Sequence, residues 1–377
     1  MDILALTTEE KILLGLLVFS WIIQLLFYLI RVVPLAFYKQ KKSDVQKQLP
    51  ASVIICAKNE AHNLKKFLPT ILSQDYSDYE VIVVNDCSED ETELVLAELK
   101  SKFPHLYYTN IPIDHKFSHG KKLAISLGIK AAKHENMVFT DADCKAESDL
   151  WLQHMMKGFS NPSKDIVLGF GGYEKRKGFI NLLVRYDTFF AAIQYLGYAL
   201  SGKPYMGVGR NLAYKKSLFN KNNGLQSHMH IASGDDDLFI SETADKKNTT
   251  VVIHPEAHTT SVSPLTMRKW RDQKSRHLTT ATHHKRSIQF SLILEIISRI
   301  ILLSVGIYLI LINTFVIIAA SAILSRLMIQ LFLWRRIAKQ LKQGNLYWSV
   351  LFFDWLHPIM LLWAYSGNIR RNKKRWK

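Results

Sequence analysis

Two long apolar stretches enclose a middle region in which short hydrophobic runs alternate with amphipathic ones. Ile12 to Ile30 is nineteen residues without a charge, enough as a helix to cross about 30 Å of hydrocarbon. From Ser52 to about Val252 the pattern changes. Ser52–Cys56, Val81–Val84 and Met137–Thr140 have the length and composition of buried strands, while Asn63–Leu72, Thr92–Lys100 and Lys122–Lys133 carry helical periodicity. Strand alternating with helix predicts an α/β fold, a parallel or mixed sheet covered on both faces, with ligands at the carboxyl ends of the strands.

Beyond Phe290 the chain turns apolar again. Ile293–Ile312 and Thr314–Trp334 predict a hairpin of two spans around Asn313, with a single span from Ile300 to Leu324 as the alternative. Glu295, Arg299 and Arg326 fall inside them, and such groups are costly in lipid unless they face protein or the interface. Tyr347–Tyr365 is also apolar but is interrupted by Asp354, His357 and Pro358. If it spanned after a hairpin, the basic tail would end outside, against the positive-inside rule. An interfacial or re-entrant segment is therefore expected. Three regions follow: residues 1–48 as a membrane anchor and basic linker, 49–287 as the catalytic domain ending in a basic interfacial segment, and 288–377 as a C-terminal membrane region and tail.

The formal charge is +17. Its lysines and arginines cluster beside the apolar segments: Lys39, Lys41, Lys42 and Lys47; Arg335, Arg336, Lys339 and Lys342; and Arg370 to Lys377. Clustering of that kind implies cytoplasmic flanks and contact with anionic lipid, and argues against nucleic-acid binding. Asp2, Glu9 and Glu10 precede the first stretch and lysines follow it, so its C-terminal end is expected in the cytoplasm, and it reads as an anchor rather than a signal peptide. Three cysteines without Cys-x-x-Cys spacing indicate neither a disulfide framework nor zinc. Cys56, Cys87 and Cys144 each stand at or beside a predicted strand end, either as small buried residues or as thiols around one pocket.

Polar stations occupy those same strand ends. Lys58-Asn59-Glu60 follows the first strand and Asp86 ends the second; there Ser88 or Asp90 can cap the next helix, whereas Asp86, at a buried end, needs a partner. Lys121 and Lys122 open a helix, where lysine opposes the macrodipole and a bound anion would explain it. Asp141-Ala142-Asp143 ends the third strand, two carboxylates placed to grip a divalent cation and a diphosphate. Gly234-Asp235-Asp236-Asp237-Leu238 puts three carboxylates side by side, which repel unless a cation or a proton-transfer role compensates. Gln273-x-x-Arg276-His277 follows Trp270, where Arg276 can neutralise a leaving diphosphate while the basic stretch Arg268–Arg286 lies on a membrane surface.

In order and spacing this succession resembles the membrane-integrated branch of the inverting family-2 glycosyltransferases, which includes ceramide glucosyltransferase and hyaluronan synthase. The resemblance covers about Pro50 to His284. It implies a GT-A nucleotide-diphospho-sugar transferase fold with N- and C-terminal transmembrane helices, in an integral protein of the bacterial inner membrane whose catalytic domain is cytoplasmic. It implies that Asn59, Glu60 and Asp86 meet the nucleotide, that Asp141, Lys121, Lys122 and Gln273 serve ribose or diphosphate, that Asp143 ligates Mn²⁺ or Mg²⁺, and that Arg276 assists departure. The resemblance places the base at Asp235, with Gly234 replacing the family's glutamate; reading the motif in the other register would make it Asp236. Arg210 and Asn211, in Gly207–Tyr214, fall where the family shapes its acceptor pocket. His277 stands in place of the family's tryptophan, which favours single-sugar transfer from a UDP-sugar to a lipid-borne acceptor over polysaccharide synthesis. A catalytically idle nucleotide- or lipid-binding scaffold is the remaining alternative.

Overall fold

The computed structural model describes residues 6–40, 48–112, 120–231 and 233–366. Lys41, Lys42, Lys47, Asp2 and the tail Arg370–Lys377 lie outside the described residues. Four strands and their helices build the first half of the domain: β1 (Ala51–Ala57), α3 (Ala61–Leu72), β2 (Tyr79–Asp86), α4 (Thr92–Lys102), β3 (Leu106–Ile111), α5 (Lys121–Ala131) and β4 (Asn136–Phe139). β1 is buried throughout, as the unbroken apolar run anticipates for a strand covered on both faces. It pairs in parallel with β2, Val53 opposite Val81, and with β4, Val53 opposite Val138.

The second half turns antiparallel, which the sequence pattern does not announce. β5 (Cys144–Ala146), α6 (Trp151–Met156), β6 (Ile166–Leu168), β7 (Gly171–Tyr173), α7 (Phe179–Leu200), β8 (Leu212–Lys215), α8 (Lys216–Lys221), α9 (Asp237–Thr243), β9 (Thr249–Val251), β10 (Thr259–Ser261) and α10 (Met267–Leu278) complete it. The main sheet runs in the order β3-β2-β1-β4-β8-β6-β9, and β5-β10-β7 form a small second sheet. β8 is antiparallel to β4 and β6, and β10 to β5.

Among the described residues, four helical segments are long and apolar enough to cross a membrane. The first joins α1 (Thr8–Phe27) to α2 (Val33–Ala36) through a π turn at Tyr28–Val32, just ahead of Pro34, whose ring and missing amide disturb regular α bonding. The others are α11 (Arg286–Leu311), α12 (Val316–Gln340) and the segment ending in α13 (Val350–Ser366). α11 and α12 meet at a turn through Asn313 and Phe315, both with positive φ, so the hairpin forms and the single span from Ile300 to Leu324 does not.

Glu295, Arg299 and Arg326 are buried between these helices, not turned outward. Arg326 makes a bidentate pair with Asp354, 2.6 Å and 3.2 Å, and Arg299 reaches Asp354 at 3.3 Å and Glu295 at 3.4 Å. Gln24 accepts from Arg326 at 2.9 Å and donates to Ser298 at 2.9 Å. Asp354 and His357, which break the apolar run in sequence, thus share the inward face of α13, while Leu351, Phe352, Trp355, Ile359 and Leu362 stay exposed. Both ends of α13 touch the α/β domain: Phe352 and Phe353 meet Phe179, and Trp363 stacks on Trp270. Trp270 is accordingly buried, and α10 is held between domain and helix.

Candidate active site

The chain leaves β1 toward β2 and β3, then returns to β4 on the other side of β1. The carboxyl ends of β1 and β4 therefore part around a crevice, the place where open α/β sheets bind ligands. A narrow cleft opens there, lined by Ile54 and Cys56 from β1, Thr140 and Asp141 beyond β4, Lys121 from α5, and Gly209, Asp235 and Asp236.

Lys121 sits at its centre. Its ammonium lies 2.8 Å from Asp141 and 3.2 Å from Asp235. Burial opposes its charge, but Asp141, Asp235 and Asp236 hold it protonated well above the ordinary lysine range. Burial likewise works against ionised Asp141, yet Lys121, Arg210 and Arg276 keep it below the usual carboxylate range. Asp143 accepts from Ser261 at 2.9 Å, and the donor atoms of Asp141, Asp143 and Cys144 lie within 4.8 Å of one another. Burial, then Asp143 and Asp141, push the Cys144 thiol up, so at neutral pH the two carboxylates are the ligands this cluster offers.

The three adjacent aspartates divide their work. Asp237 turns away, bonded to Thr280 and, at 2.7 Å, to His284, and so ties α9 to the segment entering α11. Asp236 caps α9 and accepts from the amides of Asp237 and Gly209. Burial, then the charge of Asp235, raise its pKa to about 7. Gly234 has φ of 92°, and a Cβ there would stand 2.6 Å from Leu238 Cγ. A side chain there would be strained, so glycine suits that position in either register of the motif.

Across the cleft, Arg210 stacks on Tyr173 with its guanidinium 4.3 Å from the ring centre and donates to Gly172 O at 3.1 Å. Gln273 donates to Tyr173 Oη at 2.9 Å, so it braces that wall. His277 is exposed on α10 beside the cations Arg276, Lys274 and Arg210, whose charges disfavour its protonation. Lys274 pairs with Asp187 at 2.6 Å, and Asp187 also meets His357 at 2.9 Å, which links α7, α10 and α13.

Other expected site residues stand apart from the cleft lining. Asn59, with φ of 56°, donates its amide to Ser88 at 2.8 Å and accepts from the Glu89 amide at 2.8 Å. Glu60 donates its amide to Thr92 at 3.0 Å, and Asp90 caps α4. These bonds lock the β1–α3 and β2–α4 turns to each other. Asp86 is fully buried at the end of β2 beside the Cys87 thiol, 3.6 Å away. Lys122 points to the carbonyl of His228, and burial lowers its pKa to about 8; Lys121 alone of that pair enters the cleft. Asn211 is structural, bonded to Phe170 O, Ala257 O and Trp151. Of the thiols, Cys56 lines the cleft while Cys87 and Cys144 sit beside Asp86 and Asp143. Ser261 and Tyr173 carry no advance signal, because each lies in a strand of three residues.

Residues 52–222 match the family described as Glycosyl transferase family 2; Asp235, Asp236 and Arg276 lie beyond that match. The chain is 28% identical over 151 residues to a poly-beta-1,6-N-acetyl-D-glucosamine synthase of Staphylococcus epidermidis, covering 40% of this chain and 35% of the relative. It is 32% identical over 120 residues to glycosyltransferase AglE of Haloferax volcanii, covering 31% and 38%. It thus spans little more than a third of the length of these relatives. In fold it is similar to a mannosyltransferase from Pyrobaculum calidifontis in complex with GDP-Man and Mn²⁺, with a TM-score of 0.62, 18% identity, and coverage of 96% of this chain and 99% of that one. This chain therefore carries a glycosyl transferase family 2 domain on a GT-A-like fold, together with helices long and apolar enough to cross a membrane.

Proposed function

We propose that this protein is a metal-dependent inverting glycosyltransferase that moves one sugar from a UDP-linked donor to a membrane-lipid acceptor, its catalytic domain on the cytoplasmic side. The observation that carries it is the crowding of Asp141, Asp235 and Asp236 on Lys121, with Asp143 beside Asp141, at the switch-point cleft. The ammonium on Asp141 marks a place that favours positive charge, and the oxygen donors of Asp141 and Asp143 fit Mn²⁺ or Mg²⁺. When bound, such an ion supplies positive charge to the leaving diphosphate.

Asp236 takes the proton from the acceptor hydroxyl while that oxygen attacks the anomeric carbon opposite the departing diphosphate. A carboxyl poised near 7 is matched to that task. The Gly209 amide orients it, and Asp235 holds Lys121 in reach of the diphosphate. Arg210 and Arg276 supply fixed positive charge to the same side as Asp141.

The acceptor is drawn from the bilayer because α10, with Gln273 and Arg276, is packed on α13, whose outer face is apolar. Contacts at both ends with the domain support α13 as an interfacial helix. His277, small and neutral, offers a growing polymer little stacking surface, whereas the synthases among the relatives favour polymerisation as the second possibility. The test is transfer by purified membranes from a panel of labelled nucleotide sugars with Mn²⁺, partitioned into organic solvent, with Asp143→Asn and Asp236→Asn as controls. Metal-dependent label in the organic phase, lost in both controls, is expected. Label in a long water-soluble product would establish the polymer synthase, and no label from any donor would leave the idle scaffold.

A further inference from the structure

Away from the cleft, His154 on α6 meets His254 and Glu256 in the His-Pro-Glu turn between β9 and β10. We propose that these three side chains form a transition-metal site, with Zn²⁺ as the ion that suits it, which clamps α6 to that turn.

The geometry converges on one point. His154 Nε2 lies 3.0 Å and His254 Nδ1 3.4 Å from the same oxygen, Glu256 Oε2. All three donor atoms lie within 4.8 Å of one another. The imidazoles are stacked, centroids 3.9 Å apart and planes 11° from parallel, so one ring must turn about its χ2 for both nitrogens to face a single ion.

A hydrogen bond joins His154 to Glu256 at 3.0 Å, and the Glu256 amide donates to His254 Nδ1 at 3.4 Å. Both contacts are ones an ion would replace on entering the cluster. Burial followed by His254 lowers the pKa of His154, which favours its neutral, ligating form.

Two imidazole nitrogens and one carboxylate oxygen suit zinc and its neighbours, with water completing the shell. Asp141 and Asp143, all oxygen, select the harder Mn²⁺ or Mg²⁺ instead. A bound ion here would be a brace. β10 begins three residues after Glu256, and its Ser261 holds Asp143, so the clamp steadies the strand behind the cleft carboxylates.

The full-length protein in detergent, stripped with a chelator and then freed of it, is titrated with Zn²⁺ against a colorimetric zinc indicator while thermal unfolding is followed. One Zn²⁺ per chain is expected, raising Tm, with affinity at least about tenfold weaker and no Tm gain in His154→Gln/His254→Gln. If that variant is already unfolded without zinc, Glu256→Gln takes its place and must lose affinity too. Equal zinc binding by wild type and variant would mean adventitious uptake by other histidines and would overturn the site, as would a wild type that takes no zinc from the indicator.

Discussion

Two groups of buried charges, one in the cleft and one among the apolar helices, show how differently a fold can use ionised side chains. In the helices Arg299 and Arg326 are matched by Glu295 and Asp354, and Gln24 and Gln330 add hydrogen bonds to Arg326 and Asp354. The group is balanced in charge, although Glu295 Oε2 and Arg299 Nε and Nη2 make no hydrogen bond among the described residues. In the cleft Asp141, Asp235 and Asp236 outnumber the lysine between them, and Asp236 answers by holding its proton to about 7. A balanced buried group secures position, whereas an unbalanced one opening on a cleft is prepared for a ligand.

That contrast can be broken experimentally. Asp236→Asn should lower kcat by about 10²–10⁴-fold, the usual worth of a general base, with Tm unchanged or raised because a like charge leaves a buried site. Steady-state transfer and thermal unfolding on one preparation check both halves. Arg326→Leu should do the opposite: stranding Asp354 costs roughly 3–5 kcal/mol, seen as lost folded yield, while the folded fraction transfers sugar normally. Arg326→Leu/Asp354→Leu should recover much of that stability. A double variant as unstable as the single one would mean that the pair does more than satisfy itself.

Smaller effects sharpen the account of the cleft. The acid limb of kcat/KM should rise through about pH 7 as Asp236 loses its proton. Asp235 raises that pKa and Lys121 lowers it. Asp235→Asn should therefore move the limb to lower pH and Lys121→Met to higher pH, and pH profiles moving together would remove Asp236 from the role of base. The smallest change is expected from Asn59→Ala. Losing the Glu89 amide bond should cost about 1 kcal/mol of stability and leave the donor KM nearly unaltered; a large rise in KM would put Asn59 back on the nucleotide.

Sequence alone gave away what is local. β1, β2 and β4 are short apolar runs with polar residues at their ends, and the hairpin of α11 and α12 follows from two long ones. Asp141, Asp143 and Lys121 were legible because strand ends and helix starts are where an α/β fold meets its ligands. What stayed hidden depends on distant pairing. Nothing near Asp237 announces that His284 will claim it, and nothing near Gly234 announces that Leu238 will exclude a side chain. β5, β7 and β10 are three residues each, too short for a period to emerge. Asp354 looked like a break in an apolar run because its arginines lie on two other helices.

The central claim, that the surplus of carboxylates in the cleft is there for a cation and a nucleotide diphosphate, is tested most directly by counting bound Mn²⁺ with electron paramagnetic resonance in the presence of UDP. Wild type should hold one Mn²⁺ per chain, Arg326→Leu/Asp354→Leu should hold the same, and Asp143→Asn should lose it. Mn²⁺ binding that survives Asp143→Asn unchanged would contradict the account.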